Sequence, residues 1–155
     1  AGGFVKWSAD VARIQRLADP FSAYLRLSAQ GSGGGNLDAS EKMGLGGLLG
    51  VRAYPLGEGT GDAGWLGQVE LRWDAGWATP FVFYDAGRMR SNARPWSPDS
   101  ESVRQMGGAG VGVRWANGPW SAEGLVAQRV QGGPPTSDTA DRRPRAYIVI
   151  GRRIE

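Results

Sequence analysis

The sequence of 155 residues contains no cysteine and no histidine. Without cysteine, the chain has no disulfide framework and no thiolate ligand for zinc. Without histidine, it lacks the side chain that most often serves as a general base or as a metal ligand. No other paired catalytic constellation stands out in the sequence. We therefore expect a protein that is not an enzyme, that uses no cofactor and that has no catalytic or metal site.

Long apolar runs are also missing, since no stretch approaches the ~20 residues of a transmembrane helix. Lysine is scarce: Lys6 and Lys42 are the only lysines among 18 positively charged side chains, and the formal net charge is +3. The arginines are scattered, whereas nucleic acids are usually bound by a basic patch or stripe. We expect no nucleic-acid partner. The chain does not begin with methionine and shows no signal peptide, so we expect a processed or excised piece.

Glycine is abundant, with 26 residues, which is about twice its usual share. The glycines lie within segments that alternate between apolar and polar residues, the period of a strand with one buried face. Several of these segments have ten residues or more, and a strand that crosses a bilayer at a tilt needs about nine to eleven. The predicted strands are Phe4–Leu17, Phe21–Gln30, Trp65–Trp73, Thr79–Met89, Val103–Trp115, Trp120–Val130 and Arg145–Ile154.

The connections between the predicted strands alternate in length. Three are short turns, and the other three, Gly31–Gly64, Arg90–Ser102 and Gln131–Pro144, are long and polar. Short turns on one side and long loops on the other are typical of outer-membrane barrels, and tryptophans near strand ends suit their interfacial girdles. A soluble β-sandwich or binding module with exposed tryptophans remains an alternative, because its strands have the same period.

Two motifs stand out against this background. A glycine-rich stretch, Gly44–Pro55, contains Arg52 next to an aromatic residue, and the later strand segment Phe83–Gly87 carries Asp85. An aspartate that faced lipid would be costly, so we expect Asp85 on the lumen side of a barrel. Glycines accept positive φ and let backbones approach closely. The loop can therefore fold back so that Arg52 pairs with Asp85.

In these motifs and in the segment Gly57–Trp65, the chain resembles the transporters of two-partner secretion. These are the haemolysin secretion/activation proteins of the ShlB/FhaC/HecB type, and the resemblance runs from about residue 4 to residue 154. It implies an all-β, antiparallel transmembrane β-barrel in the bacterial outer membrane. Residues 1–155 would be its C-terminal part, with about seven strands, and residues 31–64 an inward-folded loop within it.

The resemblance also implies a function. Such a barrel is a polypeptide transporter that secretes, and activates, a large partner protein such as a haemolysin or an adhesin. The expected partners are this secreted exoprotein and outer-membrane lipid. A relative of the barrels that insert other barrels into the outer membrane is the alternative within the same class of protein.

The resemblance assigns residues as well. Arg52 would be the arginine at the loop tip and Asp85 the lumen aspartate that it meets, and the family's motif usually has a glycine where Ala53 stands. The expected loop latch comprises Arg52, Tyr54, Phe83, Asp85 and Gly87. Strand phase predicts further lumen-facing side chains. We interpret them as a solvated surface of the lumen on which positive and negative charges balance. Such a surface is also compatible with contacts to an unfolded polypeptide. These side chains are Arg26, Glu70, Arg72, Arg114, Glu123 and Arg129.

Overall fold

The computed structural model describes residues 5–33, 35–95, 97 and 102–154. This part of the chain contains seven β-strands and one short 3-10 turn, Ala39–Glu41, which confirms the predicted all-β class. Phe4, predicted as the first residue of the first strand, lies outside the described residues. The strands are β1 Val5–Arg16, β2 Phe21–Gly33, β3 Ala63–Trp73, β4 Thr79–Arg90, β5 Val103–Asn117, β6 Trp120–Gln131 and β7 Arg145–Arg152. None of the described helices is long and apolar enough to cross a membrane.

The seven strands form one sheet in chain order, β1 to β7, and every neighbouring pair is antiparallel. Within the described ranges, β1 pairs with β2 alone and β7 with β6 alone, so the sheet is open at both edges. A strand-by-strand antiparallel order is that of an up-and-down barrel. It does not fit the sandwich alternative, because a sandwich needs two sheets packed face to face.

Strand boundaries differ from the predicted ones where pairing extends or stops. The second strand continues to Gly33 because its last residues pair with the start of β1, Val5 lying opposite Gly33. The last strand ends at Arg152, which pairs with Trp120, the first residue of β6. The long connection between β2 and β3 therefore spans residues 34–62 rather than 31–64. We call its described part, residues 35–62, the β2–β3 loop.

The two faces of the sheet differ in what covers them. The face opposite the β2–β3 loop, which we call the outer face, exposes apolar side chains, from 39% exposed at Val69 to 81% at Ile148. Eight of these exposed apolar side chains belong to β2, β3, β5 and β7. They are Leu25, Leu27, Val69, Leu71, Val111, Val113, Ile148 and Ile150.

The buried core lies on the other face, the inner face, between the sheet and the β2–β3 loop. Four buried residues of this core belong to the loop and the others to β3, β4, β5 and β6. From the loop come Leu45, Val51, Ala53 and Tyr54, and from the strands Leu66, Phe81, Phe83, Met89, Met106, Leu125 and Ala127. The sheet therefore buries apolar surface by means of its own loop.

Candidate functional site

The tip of the β2–β3 loop is a compact turn that depends on glycine. The Val51 amide donates to the Leu45 carbonyl at 2.7 Å, and the Gly47 amide donates to the Tyr54 carbonyl at 3.0 Å. A Cβ added to Gly50 would lie 1.9 Å from the Leu45 carbonyl oxygen, and Gly47 has a φ of +104°. Both positions exclude larger residues. The turn presents Arg52 to the inner face of the sheet.

Arg52 is bound by two carboxylates of the sheet. Its Nε and Nη2 donate to the two carboxylate oxygens of Asp85 at 2.8 Å and 2.7 Å, and its backbone amide donates to Asp85 Oδ2 at 3.0 Å. Its Nη1 donates to Glu70 Oε1 at 2.6 Å. The guanidinium also lies over the ring of Phe83, 3.7 Å from its centroid. Planar, bidentate and charge-assisted hydrogen bonds of this kind are strong and directional.

The three charged side chains are almost completely removed from water. Side-chain exposure is 4% at Arg52, 3% at Glu70 and 0% at Asp85. Burial alone would lower the pKa of Arg52, but hydrogen bonds and charge attraction from Asp85 and then Glu70 raise it above its ordinary value. The guanidinium therefore stays charged, and its positive charge is matched by nearby carboxylates.

Glu70 extends this ion pair into a network on the inner face. Its carboxylate also accepts hydrogen bonds from Arg114, at 2.9 Å and 3.2 Å, and from Arg72 Nε, at 2.9 Å. Arg114 in turn donates to Glu123. The network, with three arginines and three carboxylates, comprises Arg52, Arg72, Arg114, Glu70, Asp85 and Glu123. The described residues contain no group of acidic side chains that could hold a metal ion.

Tyr54 attaches the tip to a different part of the sheet. Its hydroxyl lies 2.7 Å from the Gln131 carbonyl oxygen and 2.9 Å from that of Gly133, at the end of β6. Its own carbonyl accepts a hydrogen bond from the hydroxyl of Tyr147 in β7 at 3.2 Å. The tip is thus hydrogen-bonded to four strands, β3, β4, β6 and β7.

The predicted latch residues occupy three kinds of position. Arg52, Asp85 and Phe83 are in direct contact, whereas Tyr54 bonds beyond them to the end of β6. Gly87 lies beneath the loop, because a Cβ added there would be 2.8 Å from Leu45 Cδ2. The six charged residues predicted to face the lumen also fall into groups with different partners. Four of them join the Arg52 network, while Arg26 pairs with Asp10 and Arg129 pairs with Asp141.

Sequence reasoning missed two acidic side chains that hold the returning limb of the loop, residues 56–62. Glu58 contacts the β6–β7 connection, and Asp62 accepts a hydrogen bond from the Ala93 amide at 2.8 Å while its carboxylate lies 3.0 Å from Lys42 Nζ. A usable signal existed for Glu58, because it lies between two glycines, Gly57 and Gly59, in a segment otherwise poor in charge. Sequence reasoning also placed Glu70 among the charged residues that line the lumen and did not predict that it binds Arg52.

One comparison with known proteins gives a match. Residues 2–115 match the family model described as haemolysin secretion/activation protein ShlB/FhaC/HecB. The matched region is well over half of the chain and contains the β2–β3 loop with Arg52 and the two strand carboxylates that bind it, Glu70 and Asp85. Comparisons with curated proteins and with solved structures give no match.

Proposed function

Since this chain belongs to the haemolysin secretion/activation family ShlB/FhaC/HecB, we propose that it forms part of the wall of a protein-secreting pore together with the pore's inward-folded loop. The family consists of outer-membrane transporters of two-partner secretion in Gram-negative bacteria. The proposal concerns what the finer features of this chain do within that transport. Its secreted partner would be one large exoprotein, such as a haemolysin or an adhesin, which the transporter also activates.

The observation that carries the proposal is the buried ion pair between Arg52 and the sheet. A loop arginine that makes three hydrogen bonds to one carboxylate and a fourth to another has a defined position on the inner face. In a barrel the inner face lines the lumen. We propose that Arg52, Asp85 and Phe83, with Tyr54 and Gly87 around them, latch the loop inside the pore.

The latch sets how the pore opens. Releasing Arg52 leaves Asp85 without its charge partner, whereas Glu70 keeps Arg72 and Arg114. The loss at Asp85 is costly unless another cation or water replaces the guanidinium. We propose that the loop stays in place at rest and that passage of the partner displaces it as a unit. The remaining inner-face charges, including Arg26 and Arg129, would contact the partner while it is unfolded.

We propose no catalytic step for this chain, in line with a family of transporters. The sequence contains no nucleotide-binding motif and neither histidine nor cysteine. Transport would then draw its free energy from folding of the partner outside the cell. Outer-membrane lipid would be the second partner, bound by the apolar outer face.

A secretion assay tests the proposal in the membrane-inserted protein that contains this chain. Cells would produce this protein with its partner, and the amount of partner in the medium would be compared for Asp85→Asn and Glu123→Gln. Asp85 is fully buried at the latch, whereas Glu123, at the edge of the network, is 26% exposed. We expect Asp85→Asn to reduce secretion strongly while its level in the outer membrane is unchanged, and Glu123→Gln to have a small effect.

Two other outcomes would count against the proposal. Undiminished secretion by Asp85→Asn would show that the pair has no role in transport. A general loss of other outer-membrane proteins, with partner secretion intact, would favour the alternative of a barrel-inserting relative.

A further inference from the structure

The carboxylate of Glu58 is buried outside the Arg52 network. Glu58 lies on the returning limb of the β2–β3 loop, between Gly57 and Gly59, which both have positive φ. Its side chain is 0% exposed. A buried carboxylate is unfavourable unless hydrogen bonds or an opposite charge satisfy it. The partners of its carboxylate come from outside the β2–β3 loop.

Five donor groups converge on this one carboxylate. The backbone amides of Thr136 and Ser137 donate to Oε2 at 2.9 Å and 2.8 Å, and the Ser137 hydroxyl donates to the same oxygen at 2.7 Å. The Thr136 hydroxyl donates to Oε1 at 3.0 Å. Arg104 Nη2 lies 3.0 Å from Oε1 and is itself held by the Pro134 carbonyl at 2.8 Å.

This arrangement is built for an anion with two oxygens. Successive backbone amides that point at one centre form an anion-binding concavity, and the two hydroxyls and the guanidinium add to it. A carboxamide in the same place would direct its NH2 group at other donors. The donors come from the β6–β7 connection and β5, outside the loop that carries Glu58, so they remain available to another carboxylate when Glu58 is removed.

We propose that Thr136, Ser137 and Arg104 form a carboxylate receptor at the long-loop end of the sheet and that Glu58 is its built-in ligand. This contact anchors the returning limb to the β6–β7 connection, separately from the anchor that Arg52 makes. Among the described residues, the two anchors share no partner, because Arg52 binds Asp85 and Glu70. The inference rests on the proposed function only in treating the loop as an element that can be released.

Spin labels on single introduced cysteines test the proposal, since the chain has no cysteine of its own. One label replaces Leu56 on the returning limb, 86% exposed, and the other replaces the exposed Thr139 beside the receptor. In Glu58→Ala we expect both labels to become more mobile. Sodium acetate should then restore the low mobility at position 139 and not at position 56, because acetate fills the receptor without tethering the limb.

Matched controls separate the receptor from general loss of charge or packing. Sodium chloride at equal ionic strength should have no effect, and Glu41→Gln, which removes an exposed carboxylate from the same loop, should leave both labels unchanged. A second variant, Ser137→Ala in the Glu58→Ala background, removes one hydroxyl donor without altering the backbone donors. It should therefore raise the acetate concentration that is needed to restore low mobility at position 139.

The proposal fails if Glu58→Ala leaves both labels immobile, or if acetate and chloride act alike at position 139. These readouts do not depend on transport. If the proposed function were wrong, secretion would not change with the anchors, yet the label mobilities would still follow occupation of the receptor.

Discussion

Ala53 at the tip of the β2–β3 loop lies directly over Gly108 of β5. A Cβ added to Gly108 would be 2.5 Å from the Cβ of Ala53 and 3.4 Å from its amide nitrogen. The pairing of β5 with β6 shifts register between Gly107 and Gly108, at the same level of the sheet. The strand therefore accommodates the loop alanine by having no side chain beneath it.

This relationship predicts a compensating pair of substitutions. Gly108→Ala should loosen the loop tip, because two methyl groups cannot occupy the same space and such overpacking typically costs about 1–3 kcal/mol. Ala53→Gly in the same molecule should restore most of the loss by removing the opposing methyl group. Hydrogen exchange of the amides in residues 44–56 measures the effect. Equal protection in Gly108→Ala and in the parent would contradict the predicted clash.

The sequence pattern predicted the strands because a two-residue period records which side of a sheet each residue faces. The same phase placed Asp85 on the inner face. Predicting its contact with Arg52 then required only the assumption that the loop folds back over that face. The receptor of Glu58 was beyond such reasoning. Two of its five donors are backbone amides 78 and 79 residues further along, in a connection without any period. Loop conformation and tertiary contact decide this part of the site.

Removing the hydroxyl of Tyr54 should have a modest effect. Tyr54→Phe leaves the carbonyls of Gln131 and Gly133 without this donor, and water can reach the partly exposed end of β6. A net hydrogen bond is worth about 0.5–1.5 kcal/mol. We expect a small rise in hydrogen exchange near the tip, and none in the control Tyr84→Phe, whose side chain is exposed on the outer face. If Tyr54→Phe reduced the protection of these amides as much as Arg52→Ala does, the small effect expected for the hydroxyl would be contradicted.

The Glu58 anchor should survive mild acid. Burial alone would raise the pKa of Glu58, but the hydrogen bonds from Ser137 and Thr136 lower it below its ordinary value. A depressed pKa contributes stability that is fully present above the unfolded value of about 4.3 and is lost as the pH falls through the lower folded value. A spin label at position 56 should stay immobile at pH 4.3 and become mobile only below it. In Glu58→Gln the mobility should not depend on this titration.

Adjacent residues of β2 should report opposite environments in the membrane-inserted protein. Leu27, 53% exposed, lies on the outer face, and Arg26 lies on the inner face, where it pairs with Asp10. A spin label at position 27 should be relaxed mainly by oxygen, which partitions into lipid, and one at position 26 mainly by a water-soluble nickel complex. Equal accessibility of the two positions to both agents would contradict a barrel wall.

The strongest effect should come from breaking the contact between Arg52 and Asp85. Arg52→Ala leaves Asp85 buried without its guanidinium, whereas Glu70 keeps Arg114 and Arg72. Removing one partner of a buried pair typically costs about 3–5 kcal/mol, against ~0–1 kcal/mol for an exposed pair. We expect either single alanine substitution at position 52 or 85 to mobilise residues 44–62 and to reduce secretion. The level of the protein in the outer membrane should not change.

A double-mutant cycle separates this contact from independent effects. Either single change already breaks the pair. The double variant Arg52→Ala/Asp85→Ala should therefore lose less stabilising free energy at the loop than the sum of the losses in the two single variants. Arg72→Ala is the matched control, because it removes an arginine that is 20% exposed and leaves Glu70 with two others. Additive losses at positions 52 and 85, or a loss in Arg72→Ala as large as in Arg52→Ala, would contradict a latch formed by this pair.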